Sequence, residues 1–296
     1  MRILLTGATG FLGSNLLIKL LRDGHELFCI KRELSNTSRI DDVKDLCTWF
    51  DIETTKFNDI FLNNNIKCVV HCATDYGAAE QDPIKTIQAN LILPLELLNV
   101  AIKNNVYAFI NTDTVLDKRI NAYSLSKKQF VEWLDRCSEE IVAINLALEH
   151  FFGPRDNESK FVSYMINELL DNRVNSAIKL TPGMQRRNFI YIDDVTNAFS
   201  TLINNLEKFG NSFHNFNIGT EHTVTIKEFS KLVKELCGNK NTYLDFGAIP
   251  YRKNETMEPA ISNVKILKDF GWSVNTTLEE GLIKTINYNK NKDLLT

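Results

Sequence analysis

Little in this sequence points to a membrane, a metal or nucleic acid. No apolar run approaches the length needed to cross a bilayer. The six cysteines, at 29, 47, 68, 72, 137 and 237, contain no Cys-x-x-Cys pair, and the five histidines show no metal-ligand spacing. Several cysteines lie in apolar runs such as Leu27 to Ile30 and Cys68 to His71, which reads as buried free thiols of a reducing compartment, so a cytoplasmic setting is expected. Charge of either sign is not in excess: 34 basic and 37 acidic residues give a net charge of −3, which leaves no footprint for nucleic acid or an anionic membrane. Repeats, low-complexity tracts and Pro/Gly/Ser linkers are absent, so two interwoven lobes are expected rather than two beads on a string. Glycines interrupt the apolar opening and no small-residue cleavage site follows, so a secretory leader is not expected.

What is present begins at residue 1. Arg2 to Thr6 read as a buried parallel strand, and Gly7, Gly10 and Gly13 turn it directly into a helix with Leu12, Leu16, Leu17, Leu20 and Leu21 at apolar positions. A glycine suits the tight turn, another lets backbone N–H groups approach a pyrophosphate, and a third lets helix and strand pack closely. The helix N-terminus then faces an anion with its unpaired donors. The spacing G-x-x-G-x-x-G in this strand-to-helix setting predicts a dinucleotide site, with Gly7, Thr9, Gly10, Phe11, Leu12 and Gly13 as its contacts.

Further strand ends extend the site. The second strand, from Glu26 to Ile30, ends at Lys31-Arg32, where an acidic residue would bind a ribose 2′-hydroxyl and a basic one accommodates a 2′-phosphate. These two residues favour NADP(H), the alternative being a pair of solvated surface cations. A third strand, Cys47 to Ile52, brings Asp51 and Ile52 towards an adenine. The fourth, Lys67 to Cys72, continues into Ala73-Thr74-Asp75-Tyr76-Gly77 at the carboxyl edge, where ligands of open α/β sheets bind. One helix is expected from about Ile84 to Asn104, with Leu91, Leu95, Leu98 and Ile102 on one face and Asn90 near its middle. A fifth strand runs from Tyr107 to Asn111, with Thr112, Asp113 and Thr114 at its end.

Tyr123 and Lys127 follow on the next helix, four residues apart and so on one face. A cation there would lower the phenol's pKa and make Tyr123 a proton donor and acceptor near neutrality. A sixth strand, Glu140 to Leu146, precedes Leu148 to Pro154, after which the regular alternation weakens into a substrate-facing part. Arg187 to Asp194 read as a strand returning to the main domain, followed by a helix from about Val195.

These residues resemble the extended short-chain dehydrogenase/reductase family of the NAD-dependent epimerase/dehydratase type. Four runs, Ala73 to Gly77, Asn111 to Thr114, Leu148 to Pro154 and Phe246 to Ile249, are similar to 4-keto-6-deoxysugar reductases of the CDP-abequose synthase type. The resemblance implies a Rossmann-type, doubly wound parallel α/β fold. Residues 1–147 plus about 188–218 would bind NADP, and 148–187 plus 219–296 would form a smaller α/β lobe for a nucleotide sugar. It also implies that Tyr123 protonates a sugar ketone oxygen, that Lys127 binds the nicotinamide ribose, and that Thr112 hydrogen-bonds the reacting oxygen. Thr74, Tyr76, Asp113, Thr114, His150, Lys160, Phe161, Arg187 and Arg252 would line the substrate, with Arg187 and Arg252 suited to a diphosphate.

The 4,6-dehydratases carry Thr-Asp-Glu where this chain has Thr112-Asp113-Thr114, so the base for elimination is missing. The resemblance therefore implies NADPH-dependent reduction of the C4 ketone of a CDP-, dTDP- or GDP-linked 4-keto-6-deoxy sugar, in surface polysaccharide biosynthesis. An NAD-dependent nucleotide-sugar 4-epimerase and a non-catalytic NADP-binding regulator are the alternatives. Asp113 either meets a substrate hydroxyl or caps its loop. A homodimer is expected through a four-helix bundle built by the helices around Leu91 to Asn104 and Tyr123 to Cys137.

Overall fold

A computed structural model describes residues 1–77, 82–171, 176–259 and 265–293. Its first half alternates strands and helices: β1 (Arg2–Thr6), α1 (Phe11–Arg22), β2 (Glu26–Lys31), β3 (Thr48–Asp51), α2 (Phe57–Asn64), β4 (Cys68–His71), α3 (Pro83–Ile87), α4 (Leu93–Lys103), β5 (Ala108–Thr114), α5 (Ala122–Arg136) and β6 (Val142–Leu148). With Phe213–Ile218 these strands form one seven-stranded sheet, ordered 213–218, β6, β5, β4, β1, β2, β3, with every pairing parallel. Chain order reverses between β1 and β4, the switch point at which such sheets bind ligands. Strands buried on both faces read as continuous apolar runs; Ile3, Leu4, Leu5, Val69, Val70, Phe109 and Ile110 are all fully covered.

The chain divides into two compact units, Met1–Leu148 with Thr196–Ile218 and Lys265–Trp272, and Glu149–Val195 with Gly219–Val264 and Ser273–Thr296. Three features differ from the sequence expectation. Phe189–Tyr191 does not return to the main sheet: it pairs in parallel with His150–Phe152 inside the second unit, and the helix after it begins at Ile192. Its apolar side chains find partners there, Phe189 stacking on Phe229 at 4.2 Å. The first unit also recruits Lys265–Trp272, where Phe270 stacks on Phe209 at 4.8 Å.

The helix expected over 84–104 is interrupted by a π turn, Gln88–Ile92. Its extra residue rotates the buried stripe, so Leu97, Leu98 and Ala101 are covered while Leu91, Leu95 and Ile102 are half-buried. The fifth strand runs on through Thr114, which keeps Thr112, Asp113 and Thr114 in ladder with Leu146, Ala147 and Leu148 of β6. No helix among the described residues is long and apolar enough to cross a membrane, and the described residues contain no cluster of three potential metal-ligating side chains.

Candidate active site

Two of the three turn glycines are explained by the protein's own packing. Gly7 has a φ of 71°, and a Cβ there would lie 2.6 Å from the Ala73 nitrogen. At Gly13 a Cβ would come within 2.1 Å of the Gly7 carbonyl oxygen. Gly10 is different: its Cβ would meet only that same oxygen, at 3.3 Å. No side chain caps the N-terminus of α1, and its first turn carries no acidic residue. Open space above uncapped N–H donors fits a pyrophosphate.

Thr6 fixes the opposite wall. Its hydroxyl accepts from the backbone N–H groups of Cys72 and Ala73, at 3.2 and 3.1 Å, and bonds His71 Nδ1 at 2.9 Å. The ends of β2 and β3 are joined by the Ile52 N–H donating to the Lys31 carbonyl, which brings Lys31 and Asp51 to one edge. Lys31 Nζ donates to the Glu33 carbonyl at 3.3 Å, Arg32 is exposed, and Asp51 accepts from the Glu53 N–H at 2.7 Å.

A row of polar side chains crosses the buried sheet in register: Thr6, His71, Asn111, Asn145 and Asn215 stand opposite one another on five adjacent strands. Asn111 donates to Asn145 at 2.8 Å, and Asn145 donates to Asn215 at 2.9 Å and to Asp113 at 3.3 Å. Asp113 is buried and accepts from Lys128 Nζ at 2.5 Å, which also donates to the Thr114 carbonyl at 2.5 Å. Burial pushes His71 well below the usual imidazole range, so it is neutral at physiological pH.

Tyr123 lies in the first turn of α5. Its ring lies 5.1 Å from that of Tyr76. The lowering expected from Lys127 is not realised. Burial pushes the phenol up, and Tyr76 and Asp113 push it the same way, so Tyr123 is held as a proton-bearing phenol. The Thr112 hydroxyl, at the end of β5, donates to the His71 carbonyl at 3.0 Å.

One turn on, the Lys127 ammonium is fully buried with no hydrogen-bond partner among the described residues. Burial lowers its pKa to about 8 against the raising effect of Asp113 and Cys72. A buried ammonium with three unused donors fits the hydroxyls of a ribose. Thr74, Asp75 and α5 are drawn together by Asn90, buried within the π turn: it accepts from the Thr74 hydroxyl and the Asp75 N–H, and donates to the Asp75 carbonyl and Ser126.

In the second unit, Arg187 is fully engaged: its guanidinium meets the Glu255 carboxylate and donates to the Thr256 and Arg186 carbonyls. Arg252 is exposed near the start of that segment. Lys160 precedes the helix Phe161–Leu170, and burial lowers its pKa. The Phe161 ring lies 5.7 Å from Phe229, an aromatic contact of the unit's own interior. His150 packs edge-on to Phe189, 5.9 Å away, with a ring nitrogen 3.8 Å from Glu149.

Residues 3–219 match the family described as NAD dependent epimerase/dehydratase. The chain belongs to that family. Among its relatives, CDP-abequose synthase of Salmonella typhimurium is 32% identical over 291 residues, covering 95% of each chain. GDP-L-colitose synthase of Yersinia pseudotuberculosis is 24% identical, over 99% of this chain and all of the other. The crystal structure of UDP-glucose 4-epimerase from Thermotoga maritima superposes with a TM-score of 0.83 at 24% identity, covering 99% of each chain. UDP-glucuronic acid 4-epimerase from Bacillus cereus, in complex with UDP-glucuronic acid and NAD, gives a TM-score of 0.84 at 21% identity, over 99% of this chain and all of that one.

For a member of the epimerase/dehydratase family, the sequence motifs located the dinucleotide turn and the Tyr123–Lys127 pair but missed their supports. Asn111, Asn145, Lys128 and Ser126 belong to no motif, and the sequence places Asn90 only near the middle of a helix. The available signal was compositional: an asparagine inside an apolar strand is a polar group that must be bonded when buried.

Proposed function

We propose that this chain reduces the C4 ketone of a nucleotide-activated 4-keto-6-deoxy sugar, hexose or heptose, using NADPH. The observation that carries the reading is Tyr123 one turn of α5 from the buried Lys127 ammonium, which has no hydrogen-bond partner among the described residues, with Thr114 at the end of β5 where the 4,6-dehydratases have a glutamate. NADPH, when bound, supplies the hydride. Tyr123 gives its proton to the carbonyl oxygen, so that hydride and proton together turn the ketone into an alcohol. The Lys127 ammonium offsets the phenolate left behind.

The near full-length likeness to CDP-abequose synthase supports the reductase reading. Lys31 and Arg32, at the end of β2, suit the 2′-phosphate of NADP. The cations Arg252 and Lys160 suit a CDP, dTDP or GDP diphosphate. Exposed Ile92, Leu125 and Trp133, at 42%, 42% and 44%, suit a homodimer formed through the π turn and α5. Elution of the chain as a monomer at micromolar concentration would refute the dimer.

The test follows absorbance at 340 nm with NADPH and then NADH against CDP-, dTDP- and GDP-linked 4-keto-6-deoxy sugars. Oxidation of NADPH with one sugar is the expected result. Interconversion of sugar epimers by enzyme that purifies with bound NAD would replace the reductase by an epimerase.

A further inference from the structure

The segment that leaves β4, Ala73 to Gly77, is tied down almost residue by residue. The Ala73 N–H donates to the Thr6 hydroxyl at 3.1 Å. Asn90, in the π turn, accepts from the Thr74 hydroxyl at 3.1 Å and the Asp75 N–H at 2.8 Å, and donates to the Asp75 carbonyl at 2.8 Å. The Asp75 carboxylate in turn accepts from the Gly77 N–H at 2.6 Å and from the Thr86 hydroxyl of α3 at 3.3 Å. Gly77 turns the chain there with a φ of 63°. Tyr76, between these bonded residues, is nonetheless 48% exposed.

Its ring lies 5.1 Å from the Tyr123 ring, the two planes inclined by 38°. That contact leaves half of Tyr76 in solvent, so burial alone does not account for a segment held this firmly; an aromatic kept for the core is covered, as Phe109 and Phe130 are. The other side of the contact is referred to the same asparagine. Asn90 donates to the Ser126 hydroxyl at 3.1 Å, and that hydroxyl donates to the Tyr123 carbonyl at 2.9 Å. One buried side chain therefore fixes both the backbone that carries Tyr76 and the helical turn that carries Tyr123. Backbone bonds still leave a tyrosine ring free to turn about its side-chain torsions, and a second ring in contact restricts that turning.

We propose that Tyr76 is a positioning residue for Tyr123: its ring, held by Asp75 and Asn90 before any substrate arrives, keeps the phenol aimed at the reacting oxygen. This task differs from lining the sugar, the one expected of Tyr76 from the sequence. A residue that only touched the sugar would act on KM, whereas one that orients the proton donor acts on kcat. For the reaction served, the role rests on the reductase reading; the placement of the two rings does not.

The experiment uses full-length protein labelled with fluorotyrosine. The chain has eight tyrosines, and the Tyr123 fluorine resonance is assigned by its loss in Tyr123→Phe. Tyr76→Leu should displace that resonance, and Tyr76→Phe, which keeps the ring, should leave it near the wild-type position. Asp75→Ala keeps the Tyr76 ring but unties its segment, so it should move the Tyr123 resonance towards the position seen in Tyr76→Leu; Asp75→Asn keeps an acceptor and should restore it. Tyr76 is exposed, so its replacement leaves a folded chain to compare even where an Asp75 variant fails to fold. A Tyr123 resonance that ignores Tyr76→Leu, or that ignores Asp75→Ala in folded protein, overturns the assignment. In turnover, Tyr76→Leu should lower kcat about tenfold with KM for the sugar little changed, and Tyr76→Phe should recover most of that loss; a loss confined to KM, or one that phenylalanine does not rescue, overturns it as well. The resonances need no sugar, so a wild type that reduces no ketosugar would defeat the functional reading while the Tyr123 line still judged this one.

Discussion

Two cations, one in each compact unit, sit in opposite circumstances. Arg187 is paired with Glu255 and donates to two backbone carbonyls, and both side chains of the pair are 14% exposed. Lys127 is 2% exposed and bonded to nothing among the described residues. A satisfied guanidinium is explained by the structure that satisfies it, here the tethering of the segment around Glu255. An unsatisfied buried ammonium costs folding free energy that Asp113 and Cys72 return only in part, so its retention points to a role beyond the fold. The glycine turn repeats the contrast: packing demands Gly7 and Gly13, whereas Gly10 is left to the ligand.

The strongest way to break this comparison is at the group Lys127 serves. Tyr123→Phe should lower kcat by about 10²–10⁴-fold while NADPH fluorescence titration shows nearly unchanged binding. Full activity in that variant would remove Tyr123 as proton donor.

Lys127→Met should stabilise the fold while weakening NADPH binding. The folded pKa of about 8 lies below the unfolded lysine value of 10.5, so between them the unfolded chain holds a proton that the folded chain has released. Stability contributed through this group is therefore lowest below pH 8 and climbs as pH rises through 8. At neutral pH the substitution should add on the order of 2–3 kcal/mol, and the climb should be missing from its denaturation profile up to about pH 10. A variant less stable than wild type at pH 7 would show that Lys127 is already satisfied.

Gly7→Ala should destabilise by about 2–3 kcal/mol in urea melts, because the new methyl meets backbone in a left-handed conformation. Glu255→Gln should cost about 1 kcal/mol, a partly exposed pair being screened by solvent. It should also tighten nucleotide-sugar binding a few-fold by releasing Arg187. The smallest effect on the fold is expected at Gly10→Ala, within about 1 kcal/mol, while its NADPH affinity falls about tenfold or more. Equal stability losses at Gly7 and Gly10 would erase the distinction drawn between them.

The sequence alone determined the sheet's first six strands, the glycine turn between β1 and α1, and the placing of Tyr123 and Lys127 one turn apart on α5. These depend on local rules: apolar runs, glycine geometry and the spacing of residues on one helical turn. Tertiary structure decided the rest. It sent Phe189–Tyr191 to His150–Phe152 rather than to the main sheet, because pairing partners are chosen by packing across the chain. It rotated the helix near Asn90 through a π turn, since that asparagine's four hydrogen bonds lie on a loop and a helix far along the sequence. Most of all, it paired Lys128 with Asp113 and left Lys127 bare. Neighbouring lysines are equivalent in composition, and only the position of a buried carboxylate tells them apart.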